Sequence, residues 1–200
     1  MRKWIVLFCI FCAGIAFSRE SVKFGVKLSS GLYGFDWHDY LDRYDGLNET
    51  HSGWGSSYEP GLALNVPITS KRFSFSSELN VNFRDFRASE ETLSEILLDI
   101  PLLFQLKPSS VKPFYLAIGV LFEIPLRSRL EYENDKQETI NIDVKKEFDT
   151  SSLDFGIIPL SIGFMMNAGI KLDHKWIIGL SDDGAYYGRW DFGITYYFIK

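Results

Sequence analysis

The chain has 200 residues, of which 16% are aromatic and 24% charged, with a formal net charge of −5. Its length suits one domain, and its charge content excludes both a helical membrane bundle and a disordered chain. The acidic balance argues against nucleic-acid binding, which depends on basic patches.

The N-terminus reads as an export leader. Arg2 and Lys3 form a basic start, Trp4 to Ile15 an apolar run, and Ala16-Phe17-Ser18 a small-residue cleavage site. A membrane-spanning helix needs about 20 apolar residues, and this run is shorter, so cleavage after Ser18 is expected over an uncleaved anchor. The expected division is a signal peptide at 1–18 and a barrel domain at 19–200. Removing the leader takes away both cysteines, Cys9 and Cys12, and moves the net charge to −7. Phe8 and Phe11 stand where a lipoprotein acylation site needs a small residue.

Beyond the leader, the dominant signal is period-two alternation, which gives a strand two different faces. The first strand sets Val22, Phe24, Val26, Leu28 and Leu32 against Lys23, Gly25, Lys27, Ser29 and Gly31. The second alternates Leu62, Leu64, Val66 and Ile68 with Gly61, Ala63, Asn65 and Pro67. The third is the clearest: Phe73, Phe75, Leu79, Val81 and Phe83 oppose Ser74, Ser76, Glu78, Asn80 and Asn82. It approaches the 9–11 residues that a tilted membrane-crossing strand needs. A fourth runs from Ile96 to Leu106 and a fifth from Phe114 to Ile124. The next begins near Leu153 and changes phase, which predicts a bulge near Pro159, since one extra residue swaps the faces beyond it. Lys175 to Leu180 and Trp190 to Phe198 complete eight strands.

The expected connections alternate long and short: Phe35 to Ser57, Thr69-Ser70-Lys71, Arg84 to Glu95, Lys107 to Lys112, Leu126 to Ser152, Asp173-His174-Lys175, and Asp182 to Gly188. Outer-membrane barrels alternate extracellular loops with periplasmic turns in this way. The predicted fold is therefore all-β, an eight-stranded antiparallel up-and-down transmembrane β-barrel.

A soluble periplasmic barrel binding an apolar ligand also has alternating strands, but its apolar face points inward. The predicted polar faces carry Lys23, Lys27, Glu78, Arg84, Asp99, Glu123, Asp154 and Asp191. Such charges suit a narrow polar lumen better than a dry core, where each costs several kcal/mol. Tyr33, Phe35, Trp37, Phe83, Phe86, Phe114, Trp176, Trp190 and Phe198 are expected to form interfacial aromatic girdles. An eight-stranded barrel is about filled by its own side chains, so no wide pore is expected.

Three segments resemble the PorT-like outer-membrane β-barrel family of Bacteroidetes-type bacteria. Leu98-Asp99-Ile100-Pro101-Leu102-Leu103-Phe104-Gln105-Leu106 is similar to that family's Ile-Pro-Leu-Leu strand. Lys112-Pro113-Phe114-Tyr115-Leu116-Ala117-Ile118-Gly119 and Asp154-Phe155-Gly156 resemble its following strands. The likeness spans about Ser94 to Phe164 and departs at Ile157-Ile158-Pro159-Leu160, where the family has more glycine. It implies fold and location, with a link in some members to secretion and gliding.

No catalytic constellation stands out. His38 with Asp39 or Asp42 and a serine is a conceivable hydrolase triad, and His51 and His174 are the other histidines. Solvated loop histidines are the expected reading. The acidic set Asp36, Asp39, Asp42, Asp45 and Glu49 has calcium-type ligands without EF-hand spacing; a solvated or lipopolysaccharide-bridging loop is expected. Glu131, Glu133, Asp135, Glu138 and Lys145-Lys146-Glu147 mark a charged third loop, and Thr139 to Val144 within it predicts a hairpin above the membrane. Trp54-Gly55 and Tyr186-Tyr187-Gly188 are expected to be exposed and suited to recognition.

The sequence thus predicts a monomeric, non-enzymatic outer-membrane protein, with no catalytic, cofactor or metal residues assigned. Its expected partners are outer-membrane lipid or lipopolysaccharide and an envelope or extracellular protein. The roles considered are surface interaction, envelope integrity or assembly of a secretion-type machine. The alternatives are a lipid-modifying hydrolase or acyltransferase and the soluble ligand-binding barrel.

Overall fold

The computed structural model describes residues 22–36, 52–69, 72–88, 91–108, 113–133, 139–143, 154–166, 169–181 and 184–198. The expected leader, with Cys9 and Cys12, lies outside them, as do His38, His51 and the acidic loop from Asp39 to Glu49.

Among the described residues nine strands occur: β1 (Lys23–Asp36), β2 (Ser52–Thr69), β3 (Phe73–Ala88), β4 (Glu91–Leu106), β5 (Phe114–Glu133), β6 (Thr139–Asp143), β7 (Asp154–Met165), β8 (Ile170–Ser181) and β9 (Gly184–Tyr197). Their order is β4-β3-β2-β1-β9-β8-β7-β5, and a β4–β5 pairing closes the ring. All pairings are antiparallel. This is the expected eight-stranded barrel, with β6 as a short addition that pairs, among the described residues, with β5 alone. Closure leaves the ring without an unpaired edge, as a lipid environment requires.

The barrel is inverted relative to a soluble one. Phe24, Leu28, Leu62, Ile118, Phe192 and Ile194 are among its exposed side chains, whereas Lys27, Glu78, Asp99, Glu123, Lys171 and Arg189 are buried. The soluble ligand-binding alternative needs the opposite arrangement.

The bulge falls where the phase slip placed it. The β7–β8 register shifts between Ile157 and Leu160, and Pro159 and Leu160 are consecutive exposed residues. Gly156 and Ile158 face inward before the slip, Ser161 and Gly163 after it. A second shift at Ile96/Leu97 in the β4–β5 ladder sets Leu126 and Arg127 both outward.

Several expected connections prove to be strand. The loop expected at Arg84 to Glu95 shrinks to residues 89–90, because β3 and β4 run on to Ala88 and from Glu91. The loop expected at Asp182 to Gly188 shrinks to 182–183. Asp173-His174-Lys175, expected as a turn, is strand: β7 ends at Met165 and β8 begins at Ile170, just after Gly169, which adopts φ 79°. That left-handed conformation costs a glycine little, and Met166 N–H donates to Ile170 O at 2.7 Å.

Candidate functional site

The interior of the barrel is the densest polar arrangement among the described residues. Five buried cations face seven buried carboxylates there. Alternation puts them inside, and lipid outside gives them no other place to go. All but Glu95, which accepts from Ser128, gather into two clusters.

The cluster nearer the chain termini centres on Glu78 of β3. Lys27 of β1 donates to it at 2.6 Å, and Lys175 of β8 donates to the same oxygen. Lys171 lies 3.8 Å from its other oxygen and pairs with Asp173 at 2.9 Å. Tyr115 and Tyr197 are buried beside Lys171, whose ammonium sits 5.2 Å from the Tyr115 ring centre. Gly163 leaves the space that the Tyr115 hydroxyl occupies, and an added methyl there would collide with it and with the Leu172 carbonyl.

The cluster toward the loops centres on Arg189 of β9. Its guanidinium reaches Glu59 at 2.8 Å, Asp99 at 2.9 Å, Asp191 at 2.7 Å and Glu123 at 3.5 Å. Arg84 of β3 pairs with Glu123, which also accepts from the Tyr187 hydroxyl. Asn82, Arg84 and Arg189 all donate to the Tyr33 hydroxyl, at 3.0, 2.9 and 2.9 Å. Every charge in the two clusters therefore lies against an opposite charge, and Glu78, Asp99, Glu123 and Arg189 add hydrogen bonds, the condition under which burial is tolerated.

Of the lumen charges expected from sequence, Lys27, Glu78, Arg84, Asp99, Glu123 and Asp191 are buried inside. Lys23 is exposed at the first residue of β1, and Asp154 is only half-buried at the start of β7. Sequence reading missed Glu59, Glu95, Lys171, Asp173, Lys175 and Arg189. Glu59 shares parity with Ala63 and Asn65, so extending that alternation upstream would have found it.

The aromatic girdle needs two corrections, and one exposed-loop aromatic a third. Tyr33 and Phe86 are buried in the lumen, their rings 5.2 Å apart. Tyr187, expected in an exposed loop, also turns inward and packs over Gly179. Phe83, Trp176, Trp190 and Phe198 are exposed as expected, and Phe114 is half-buried. The side chain of Phe35 and all of Trp37 lie outside the described residues. An aromatic belt does form near the strand ends on the terminus side. Phe73 stacks on Phe104 there, and Phe114 meets Phe164 edge-on.

His174 is not in a turn. It sits in β8 on the outer face, with its ring 4.5 Å from that of Phe192 and 5.4 Å from that of Trp190. Its Nδ1 lies 3.1 Å from the Asp191 carbonyl oxygen. It is a packed ring on the outer face of a strand, not the solvated loop residue expected from sequence. Among the described residues no group of three or more potential ligands is placed to hold a metal ion.

At the loop end one side of the barrel is taller. β5 pairs with β7 only as far as Glu123, then continues to Glu133 and pairs with β6 from Arg129↔Asp143 to Glu133↔Thr139. The hairpin expected above the membrane is thus present. On the outer face of this wall the register forms rows. Tyr58, Phe83, Ile96 and Arg127 make one row, and Ser56, Asp85, Ser94 and Arg129 the next. Trp54, Arg87, Thr92 and Glu131 make the last, with Trp54 76% exposed as the sequence suggested.

In fold the chain is similar to Ail, the attachment invasion locus protein of Yersinia pestis. The TM-score is 0.50 at 9% identity, covering 90% of this chain and all of that one. It is likewise similar to Neisserial surface protein A, with a TM-score of 0.50 at 10% identity and the same coverage. No family model matches the sequence, and no curated protein does. At these identities the likeness concerns fold alone, that of the small closed outer-membrane barrels. An apolar exterior around a charged interior is what that setting demands, and the chain is a barrel of the bacterial outer membrane.

Proposed function

We propose that this is a non-enzymatic outer-membrane protein that acts through its extracellular wall while its lumen stays shut. The observation that carries the reading is the β5–β6 ladder, which continues beyond the last β5–β7 pair. A membrane crossing needs only about 9–11 residues per strand, whereas β5 has 20. The surplus lifts Arg129, Glu131 and the edge strand β6 away from the lipid, where an extended partner segment has hydrogen-bonding groups to meet. The names of the two similar barrels, one for attachment and one for the cell surface, agree with such a role.

The same reading takes residues 1–18 as the export leader and the barrel as a monomer. Its partner is an extracellular or envelope protein. The PorT-like segments fall on β4, the start of β5 and the start of β7, and they favour service in an envelope or secretion assembly. Among the described residues nothing favours the lipid-modifying alternative: His174 packs against the Phe192 and Trp190 rings, and the His38 segment lies outside them.

The test replaces Leu130 to Ile142 by a two-residue turn and displays both forms on cells. Adhesion to immobilised extracellular-matrix proteins, and crosslinking to envelope proteins, should fall with the trimmed form while the gel shift of the folded barrel persists. Equal adhesion and crosslinking by both forms would refute the wall as the working surface. Unchanged lipid A and phospholipid profiles on replacing His38 by alanine would support the absence of catalysis, and an altered profile would redirect attention to the first loop.

A further inference from the structure

We infer that the outer face of β3–β5 at the extracellular rim is a binding site for the phosphorylated headgroup of an outer-leaflet lipid, held by Arg87, Arg127 and Arg129. This inference goes beyond the reading above and rests only on the orientation of the barrel in its membrane.

The first support is height. Phe83 and Ile96 occupy the same row as Arg127, and Leu126, 48% exposed, lies beside Arg127 because the bulge turns both outward. An arginine facing lipid costs about 2–4 kcal/mol at the bilayer midplane and about 0–1 kcal/mol near the interface. The Arg127 row therefore marks the hydrocarbon boundary, and the next two rows lie at headgroup level.

The second support is charge. Among the described residues Arg87 and Arg127 form no ion pair, while Arg129 lies 3.7 Å from Glu131 with both side chains about half exposed. An exposed pair of that kind is worth little and yields readily to a better acceptor. Asp85 on this face already accepts a hydrogen bond from Ser94 at 2.8 Å, and the other neighbouring carboxylate, Asp143, stands across the ladder from Arg129 on β6. The guanidinium fork matches phosphate oxygens two at a time, which an ammonium does not.

The third support is one-sidedness. All the described exposed cations at this end of the barrel lie on β3 and β5; β7 carries no cation, and β9 turns Arg189 inward. Arg87 and Arg129 stand two strands apart, about 10 Å by strand spacing, so the site spans one headgroup rather than ringing the barrel.

The experiment uses the full mature chain, folded in nanodiscs of zwitterionic lipid. Native mass spectrometry measures retention of a phosphorylated glycolipid, of the same lipid with its phosphates removed, and of the first lipid against inorganic phosphate. The wild type should retain the phosphorylated lipid, and R87Q/R127Q/R129Q should weaken retention about tenfold or more. The corresponding triple lysine variant should fall between them, with the gel shift intact throughout. If the triple glutamine variant does not fold, R127Q and R129Q alone carry the same comparison. Equal retention by glutamine variants, or of the dephosphorylated lipid, would overturn the proposal. Displacement by millimolar inorganic phosphate would do so too, by making the site one for the free ion.

Discussion

Arg189 on β9 holds Asp99 on β4 at 2.9 Å, although the two strands lie diametrically opposite in the eight-membered ring. Lys175 of β8 and Glu78 of β3 repeat the relationship in the other cluster. Side chains that meet from opposite walls make the lumen a cross-braced core whose cohesion is ionic. Around it the apolar surface is turned out to lipid.

Removing the brace should be costly. Arg189→Met leaves Glu59, Asp99 and Asp191 buried without their shared cation, and losing one partner of a buried pair costs about 3–5 kcal/mol. Urea unfolding of the detergent-folded barrel should show a loss of that order, and an unchanged midpoint would mean that the network contributes nothing to stability.

The same bracing predicts electrical silence. In planar bilayers the wild type should give no large, stable single-step openings. The double variant R84S/R189S, which clears two guanidinium groups from the loop-side cluster, should give small ones. Large openings in the wild type would contradict the closed lumen.

The two faces should respond oppositely to charge. Leu62→Arg places a cation on the lipid face, where Leu62 is 59% exposed. At mid-depth this should cost about 2–4 kcal/mol, although exposed substitutions in a water-soluble protein usually stay within about 0.5 kcal/mol. Equilibrium unfolding in lipid vesicles distinguishes the two, and a neutral result would argue against membrane burial of β2.

Glycine replacements separate close approach from open space. Gly163→Ala drives a methyl into the Tyr115 hydroxyl and the Leu172 carbonyl, whereas at Gly188 nothing lies within 4 Å. Overpacking of this kind costs about 1–3 kcal/mol. The temperature at which the gel shift is lost should therefore drop for Gly163→Ala and hold for Gly188→Ala.

Much of this was legible because membrane-barrel strands obey a local rule. Lys27, Glu78, Asp99, Glu123 and Asp191 announce an inward face by parity alone, and the slip at Pro159 announces its own bulge. The rule fails in two places. Beyond the hydrocarbon the outer face turns polar, so the apolar signal that marked β3 and β4 stops before the strands do. That is why Arg84 to Glu95 read as a loop. Around Tyr33, Phe86 and Tyr187 the difficulty is different: a large ring suits lipid or a lumen equally well, and residue type does not choose.

By itself, then, the sequence determined the inverted barrel, its strand number and its phase, because period-two alternation depends only on neighbouring residues. The tertiary structure alone decided which lumen charges meet. Arg189 reaches Asp99 and Lys27 reaches Glu78 only after closure and strand register bring distant segments within hydrogen-bonding range. It also decided which aromatics turn inward, since Tyr187 fits the lumen only because β8 sets Gly179 against it. Ion pairing and packing are contact forces, and contacts between β3 and β8 or β4 and β9 have no trace in a local pattern.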